Sequence, residues 1–142
     1  MRHAALALPA LLITLSLAAI ACAEMLGGHP LTMGPPRSVP EAIAMRDQAG
    51  AARLIDEGAN VRAIGLVRPG IVTDQPLLVT PLEAAVLVDA TAMLDFLVGK
   101  GADVPHELAC LAADVGARTA RARLGESTCH SGDALRGVLA RP

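Results

Sequence analysis

Residues 80 to 104, TPLEAAVLVDATAMLDFLVGKGADV, constrain the fold more than any other stretch of the chain. Thr80 can cap a helix and Pro81 follows at the first helical position, where its missing N–H costs nothing. Apolar residues at Leu82, Ala85 and Val86, then at Met93, Leu94, Leu97 and Val98, recur at three-and-four spacing, which predicts two short helices. Gly101 sits where a helix commonly exits through a left-handed residue. Two helices this short cannot bury their apolar faces alone, so such a unit persists only by stacking on copies of itself.

A copy is present upstream. Ile55 to Val61 (IDEGANV) matches Val98 to Val104 (VGKGADV) 43 positions later, and in that register Ala42 falls under Ala85 and Leu54 under Leu97. The spacing predicts a first helix over Val39 to Asp47 and a second over Ala49 to Glu57, with Gly50 as a weak point inside the second. Downstream the pattern continues in shortened form. Pro105 to Asp114 and Ala117 to Leu124 read as a third pair, Gly125 to Gly132 as a turn, and Asp133 to Ala140 as a last helix covering the open end.

Thr80-Pro81-Leu82, the small pair Ala84-Ala85, the second-helix residues Leu94, Leu97 and Val98, and the exit Gly101-Ala102-Asp103 together resemble an ankyrin repeat. Glu83 stands where that family usually has His, and Asp89 where it usually has Gly. The resemblance implies an all-α fold, a short ankyrin-like helix-turn-helix solenoid with repeats at about 37–61 and 80–104, a degenerate one at 105–125 and a cap at 126–142. The separation of 43 is one period of about 33 plus about ten inserted residues.

The insertion, VRAIGLVRPGIVTDQPLLV from Val61 to Val79, places β-branched and Leu residues around the turn sequence Arg68-Pro69-Gly70. A long β-hairpin finger is expected between repeats one and two, Arg62 to Val67 returning through Ile71 to Thr73 until Pro76 ends the pairing. The resemblance implies that partners are bound by such fingers and by the adjacent first helices. The candidate partner-binding residues are Leu66, Val67, Ile71, Val72, Leu77 and Leu78 in the finger and Leu87 and Val88 on the first helix, with Arg62 and Arg68 at the rim. The competing reading buries these apolar residues against the stack as extra core.

Met1-Arg2-His3, the apolar run Ala4 to Ile20 and the small-x-small Ala21-Cys22-Ala23 have the form of an export signal over residues 1–23. This predicts a periplasmic or secreted chain with no transmembrane span after processing. The alternatives are a lipoprotein signal with Cys22 lipidated and the chain anchored in the envelope, or a retained membrane helix. Residues 24–36, rich in Gly and Pro, read as a flexible N-terminal segment before the repeat domain at 37–142. The core of a 142-residue chain without Trp or Tyr and with only Phe96 must be built from Ala, Leu, Val and Ile. A formal charge of −2 gives no dense basic patch, so nucleic acid is not an expected partner; the five arginines beyond position 117 are interleaved with acids, as on a solvated surface.

In an exported chain Cys110 and Cys129 form an even pair, and a disulfide between them would close a loop of about 20 residues and contribute about 3 kcal/mol. The alternatives are two unpaired thiols, or a metal site using His106, Cys110, Cys129 and His130. No phosphate-binding glycine loop, Gly-x-Ser-x-Gly or metalloprotease helix motif occurs, and Asp89 and Asp95 fall on solvent-facing positions, so neither catalysis nor a cofactor is expected. The expected function is a non-catalytic protein-protein interaction module that binds another envelope protein. Toxin neutralisation is a special case of it, metal binding the alternative, and a structural subunit of an enzyme complex a third reading.

Overall fold

Three successive segments fold into pairs of short helices, each pair closed by the same turn. The computed structural model describes residues 34–125, 129 and 132–141. The expected export signal with Cys22, most of the expected N-terminal tail, and His130 lie outside the described residues. The chain divides into residues 1–35, of which only Gly34 and Pro35 are described, and a compact unit from Pro36 to Pro142. The second unit is mostly helical. Among its described residues are seven helices, α1 (Val39–Ala44), α2 (Gln48–Asp56), α3 (Pro81–Leu87), α4 (Thr91–Gly99), α5 (Glu107–Asp114), α6 (Arg118–Leu124) and α7 (Asp133–Leu139), with two strands, β1 (Gly65–Val67) and β2 (Leu77–Val79).

Helices α1 and α2, α3 and α4, and α5 and α6 pack as pairs, while α1, α3 and α5 pack in a row and α4 lies against α6. The residues that let the row close up are small: Ala42, Ala84, Ala85 and Ala112 are fully buried. Ile43, Val86, Leu97, Leu108 and Leu111 fill the space between the layers. With no large aromatic to place, close backbone approach does the work that bulk does elsewhere.

Caps explain where the helices start. The Thr80 hydroxyl accepts from the Glu83 N–H at 3.3 Å and the Glu83 carboxylate accepts from the Thr80 N–H at 2.8 Å, a reciprocal capping box. At α1 half of the arrangement recurs: the Glu41 N–H donates to the Ser38 hydroxyl, while the Glu41 carboxylate accepts from the Arg37 N–H rather than from Ser38. Helix α2 is capped by Asp47, whose carboxylate accepts from the Gly50 N–H at 2.8 Å. A Cβ at position 50 would lie 2.3 Å from that carboxylate, so Gly50 is required by the cap rather than a sign of a decayed copy. The second helices of the first two pairs end alike. Gly58 and Gly101 both take positive φ, and the next residue's N–H returns to a carbonyl five positions back, Ala59 to Leu54 and Ala102 to Leu97.

The turn inside each pair has one left-handed residue: Arg46 (φ 59°), Asp89 (φ 48°) and Gly116 (φ 70°). Each is followed by the same bond, Asp47 N–H to Ala42, Ala90 N–H to Ala85 and Ala117 N–H to Ala112, all at 2.9 Å. Two of the three are not glycine, because their side chains reach the next pair. The Arg46 guanidinium donates to the Val88 carbonyl at 2.7 Å. The Asp89 carboxylate accepts from the Thr119 hydroxyl at 2.7 Å and the Ala120 N–H at 2.8 Å, capping α6, which has no side-chain cap of its own. Asp114 does the same for α7, accepting from the Gly132 N–H at 2.7 Å and the Leu135 N–H at 3.2 Å. These bonds hold both carboxyls below the usual aspartate range, led by the Thr119 hydroxyl for Asp89 and the Gly132 N–H for Asp114.

The helix boundaries agree with the expected ones to within a few residues, and the hairpin does not. Strand β1 pairs antiparallel with β2, Gly65 opposite Val79, Leu66 opposite Leu78 and Val67 opposite Leu77, so the return strand follows Pro76 instead of ending at it. Ile71 to Thr73 belong to the connecting loop, where the Gly70 N–H donates to the Thr73 carbonyl. Pairing on the far side of Pro76 lets Val67, Leu77 and Val79 enter the core together, which a return at 71–73 would not. If Asp89 is held left-handed for its cap, Asp89→Asn, which keeps an acceptor and tolerates that backbone, will melt closer to wild type than Asp89→Ala. Asp89→Gly will fall below wild type despite relieving the backbone; thermal melts of the three variants check the order.

Candidate protein-docking surface

Alternation along the hairpin separates an inner from an outer face. Val67, Leu77 and Val79 point inward and are buried, while Leu66 is 49% exposed and Ile64, two residues earlier, is 54% exposed. Leu78, opposite Leu66, is half-buried. Both hairpin edges are met by side chains. The Ser38 hydroxyl donates to the Leu66 carbonyl at 2.8 Å and Arg141 reaches the Leu78 carbonyl at 3.5 Å. These two carbonyls face outward from a pair of directly opposed residues, so Leu66 and Leu78 form a non-hydrogen-bonded pair with closely spaced side chains.

The hairpin is held against the N-terminal end of α1. A Cβ at Gly65 would lie 3.1 Å from the Pro40 ring, so the strand's approach depends on glycine there. Beyond β1, Arg68 forms a salt bridge with Glu41, a carboxylate with 0% exposure. The other Glu41 oxygen accepts from the Arg37 N–H at 2.6 Å. A buried carboxylate is tolerated only when paired and hydrogen-bonded, and here the loop supplies the pairing charge. Arg62 is also engaged internally, donating to the Gly101 carbonyl at 2.8 Å and facing Asp103 at 2.9 Å.

The residues expected to form one apolar strip are therefore divided. Val67 and Leu77 are core, and Arg68 is an anchor rather than a rim residue. Ile71, Val72, Leu87 and Val88 are partly buried and packed against the core. Leu66 remains exposed, Leu78 half so, and Ile64, absent from the expected set, joins them. Its alternation with Leu66 would have found it. The acids read as a solvent-facing pair have partners: Asp89 caps α6 and Asp95 meets Arg123 at 2.8 Å.

Cys110 on α5 and Cys129 are joined in a disulfide with a Cα–Cα distance of 5.4 Å. That bond takes both sulfurs the metal reading required. His106 lies exposed at the start of α5, and His130 is outside the described residues. Among the described residues no group of three or more His, Cys, Asp or Glu side chains is placed to hold a metal ion.

The C-terminal helix packs on α5 and on β2. It inserts Val138, and just past its end Arg141 grips Glu83 through two bonds of 2.6 Å. Burial pushes the Glu83 carboxyl up. The Arg141 guanidinium and the Thr80 N–H outweigh it and hold the group below its ordinary value of 4.5. Arg141 is raised in turn by Glu83. An open-sided cavity of about 300 Å³ lies between α7 and the body, with Thr80, Glu83, Leu108 and Leu111 on one wall. Among the described residues no helix is long and apolar enough to cross a membrane. Comparison with protein-family models, curated proteins and solved structures finds no match.

Removing the charge that pairs with Glu41 leaves a buried carboxylate uncompensated, so Arg68→Ala will cost about 3–5 kcal/mol in urea unfolding. Adding Glu41→Gln to it will recover part of that loss. Because folding lowers the Glu83 carboxyl, its pairing stabilises above the ordinary value and the contribution is lost as pH falls through the lower folded one. The stability difference between wild type and Glu83→Gln will be full at pH 7 and shrink below about pH 4.5, as thermal melts across that range will read.

Proposed function

We propose that this chain is a small ankyrin-like solenoid acting as a non-catalytic docking module for another protein of the bacterial envelope, with the outer face of the hairpin as the contact. The observation that carries the reading is the pairing of exposure with rigidity. Leu66 is an exposed apolar side chain on a strand, with exposed Ile64 just before it; the neighbours Val67, Leu77 and Val79 are core, the hairpin edges are met by Ser38 and Arg141, and the loop is fastened through Arg68 to Glu41. A large side chain presented without conformational freedom loses little entropy on binding, which is how a small contact becomes a useful one. The three helix pairs, with identical turn bonds and a row of small residues between first helices, support the solenoid reading. An export segment, with Cys22 either removed or lipidated, places the module outside the cytoplasm in this proposal, and neutralising a toxin would be one use of the same surface.

The test compares capture of a specific partner from envelope extract by the immobilised mature chain, its Ile64→Asp and Leu66→Asp variants, and Val98→Asp on the exposed side of α4. All three positions are exposed, so melting will stay within about 0.5 kcal/mol of wild type. Capture is expected to fall at least tenfold for the two hairpin variants and to persist for Val98→Asp; equal recovery from all four proteins would remove the hairpin as the site.

A further inference from the structure

The C-terminal helix leaves part of its seat unfilled. Of its seven residues, Val138 alone is buried, and Leu139 is 54% exposed. Ala134 and Leu135 pack against the core beside Val138, yet a cavity of about 300 Å³ remains where Ala134, Gly137 and Val138 stand opposite Pro105, Leu108 and Leu111. A Cβ built on Gly137 would meet nothing within 4 Å. Apolar walls without partner atoms forfeit dispersion contact, and larger side chains at the same helical positions would recover it. Position 134 lies four residues before 138 on one helical face, and Arg141, just past the helix end, lines the same cavity and brings the cation that meets Glu83. The helix also lacks a side-chain cap of its own and has Gly137 in its interior, so it is a weak helix held by what surrounds it.

From this geometry we infer that α7 is a displaceable internal ligand. The groove lined by Leu108, Leu111 and Glu83 receives a short helix of a partner protein that carries large aliphatic side chains where α7 has Ala134 and Val138, and an arginine three residues after the second. Charge complementarity commits the occupant: the Glu83 carboxylate is already fixed by the Thr80 N–H in the orientation that two guanidinium N–H groups meet. The disulfide from α5 to Cys129, a few residues before α7, keeps the internal ligand at high effective concentration, so only a better-fitting helix displaces it. This groove is distinct from the hairpin's outer face, and either surface can fail its test without the other.

The experiment uses the full chain with its disulfide intact and two peptides, one with the sequence from Gly132 to Arg141 and one carrying Ala134→Leu and Val138→Leu in that sequence. In Val138→Asp protein, whose own helix cannot seat, the altered peptide is expected to shift the amide resonances of Thr80, Glu83 and Leu111 and to bind at least tenfold more tightly than the unaltered one. Adding Glu83→Gln, which keeps the capping acceptor and removes the charge, weakens binding about tenfold. Equal binding of the two peptides, or no effect of Glu83→Gln, overturns the proposal. A second measurement needs neither the peptides nor the opened protein: Ala134→Leu in the full chain fills the cavity and raises the melting temperature, and a lowered one shows that the space does not accept a larger side chain and overturns the proposal. Wild type running as a dimer with exchanged C-terminal helices would assign the groove to a second copy and overturn the foreign-helix assignment.

Discussion

Two glutamates in the first turns of neighbouring helices organise this protein, because each needs a positive charge that its own helix does not contain. Glu41 has no contact with solvent and receives Arg68, 27 positions later. Glu83 is partly buried and receives Arg141, 58 positions later. In each case the partner lies outside the helix pairs, in the hairpin loop or beyond the last helix. The charge requirement at the helix starts therefore draws in the two parts of the chain that the repeating pattern does not specify. The choice of Glu at position 83 makes physical sense in this light. A glutamate there both completes the capping box with Thr80 and supplies the anchor for the C-terminus.

The helical frame was legible in the sequence because it rests on local signals: Thr80-Pro81, the alanines, Gly58 and Gly101, and three-and-four apolar spacing. The disulfide was legible from the pair of cysteines that remains once an export signal is expected at residues 1–23. What could not be read was everything settled by contact across distance. Pro76 looked like the end of a strand pair, and it precedes the return strand, since only Leu77 and Val79 share an inward face with Val67. Arg68 looked like a surface charge, since nothing local shows that the Glu41 side chain is sealed from water. Gly50 looked like decay, since the carboxylate that occupies its space belongs to a cap three residues back. Along the hairpin, hydrophobicity alone did not say which apolar residues face out. Parity does, once the pairing is known: Val67 and Leu77 face the core, while Leu66 and, just before the strand, Ile64 are exposed.

The left-handed residues show how one turn geometry is built from different side chains. The turn needs one residue of positive φ, and glycine supplies it at Gly116. Arg46 and Asp89 accept the same conformation at a cost, and each makes a bond to the following pair that glycine could not. Asp89 in particular completes α6, whose own first residues offer no cap. The non-glycine residues at these positions thus add connections between the helix pairs.

Arg141 carries a further consequence. In a linear stack each layer touches only its neighbours, and such arrays open from their ends, terminal layers exchanging their amides long before the middle. Here the last described side chain passes the third pair and closes on the second, and the disulfide fixes the route it takes. The last described residues are thereby joined to the second helix pair, so the third pair cannot fray without also breaking a bond to it. Opening at one end of the described structure is coupled to its middle.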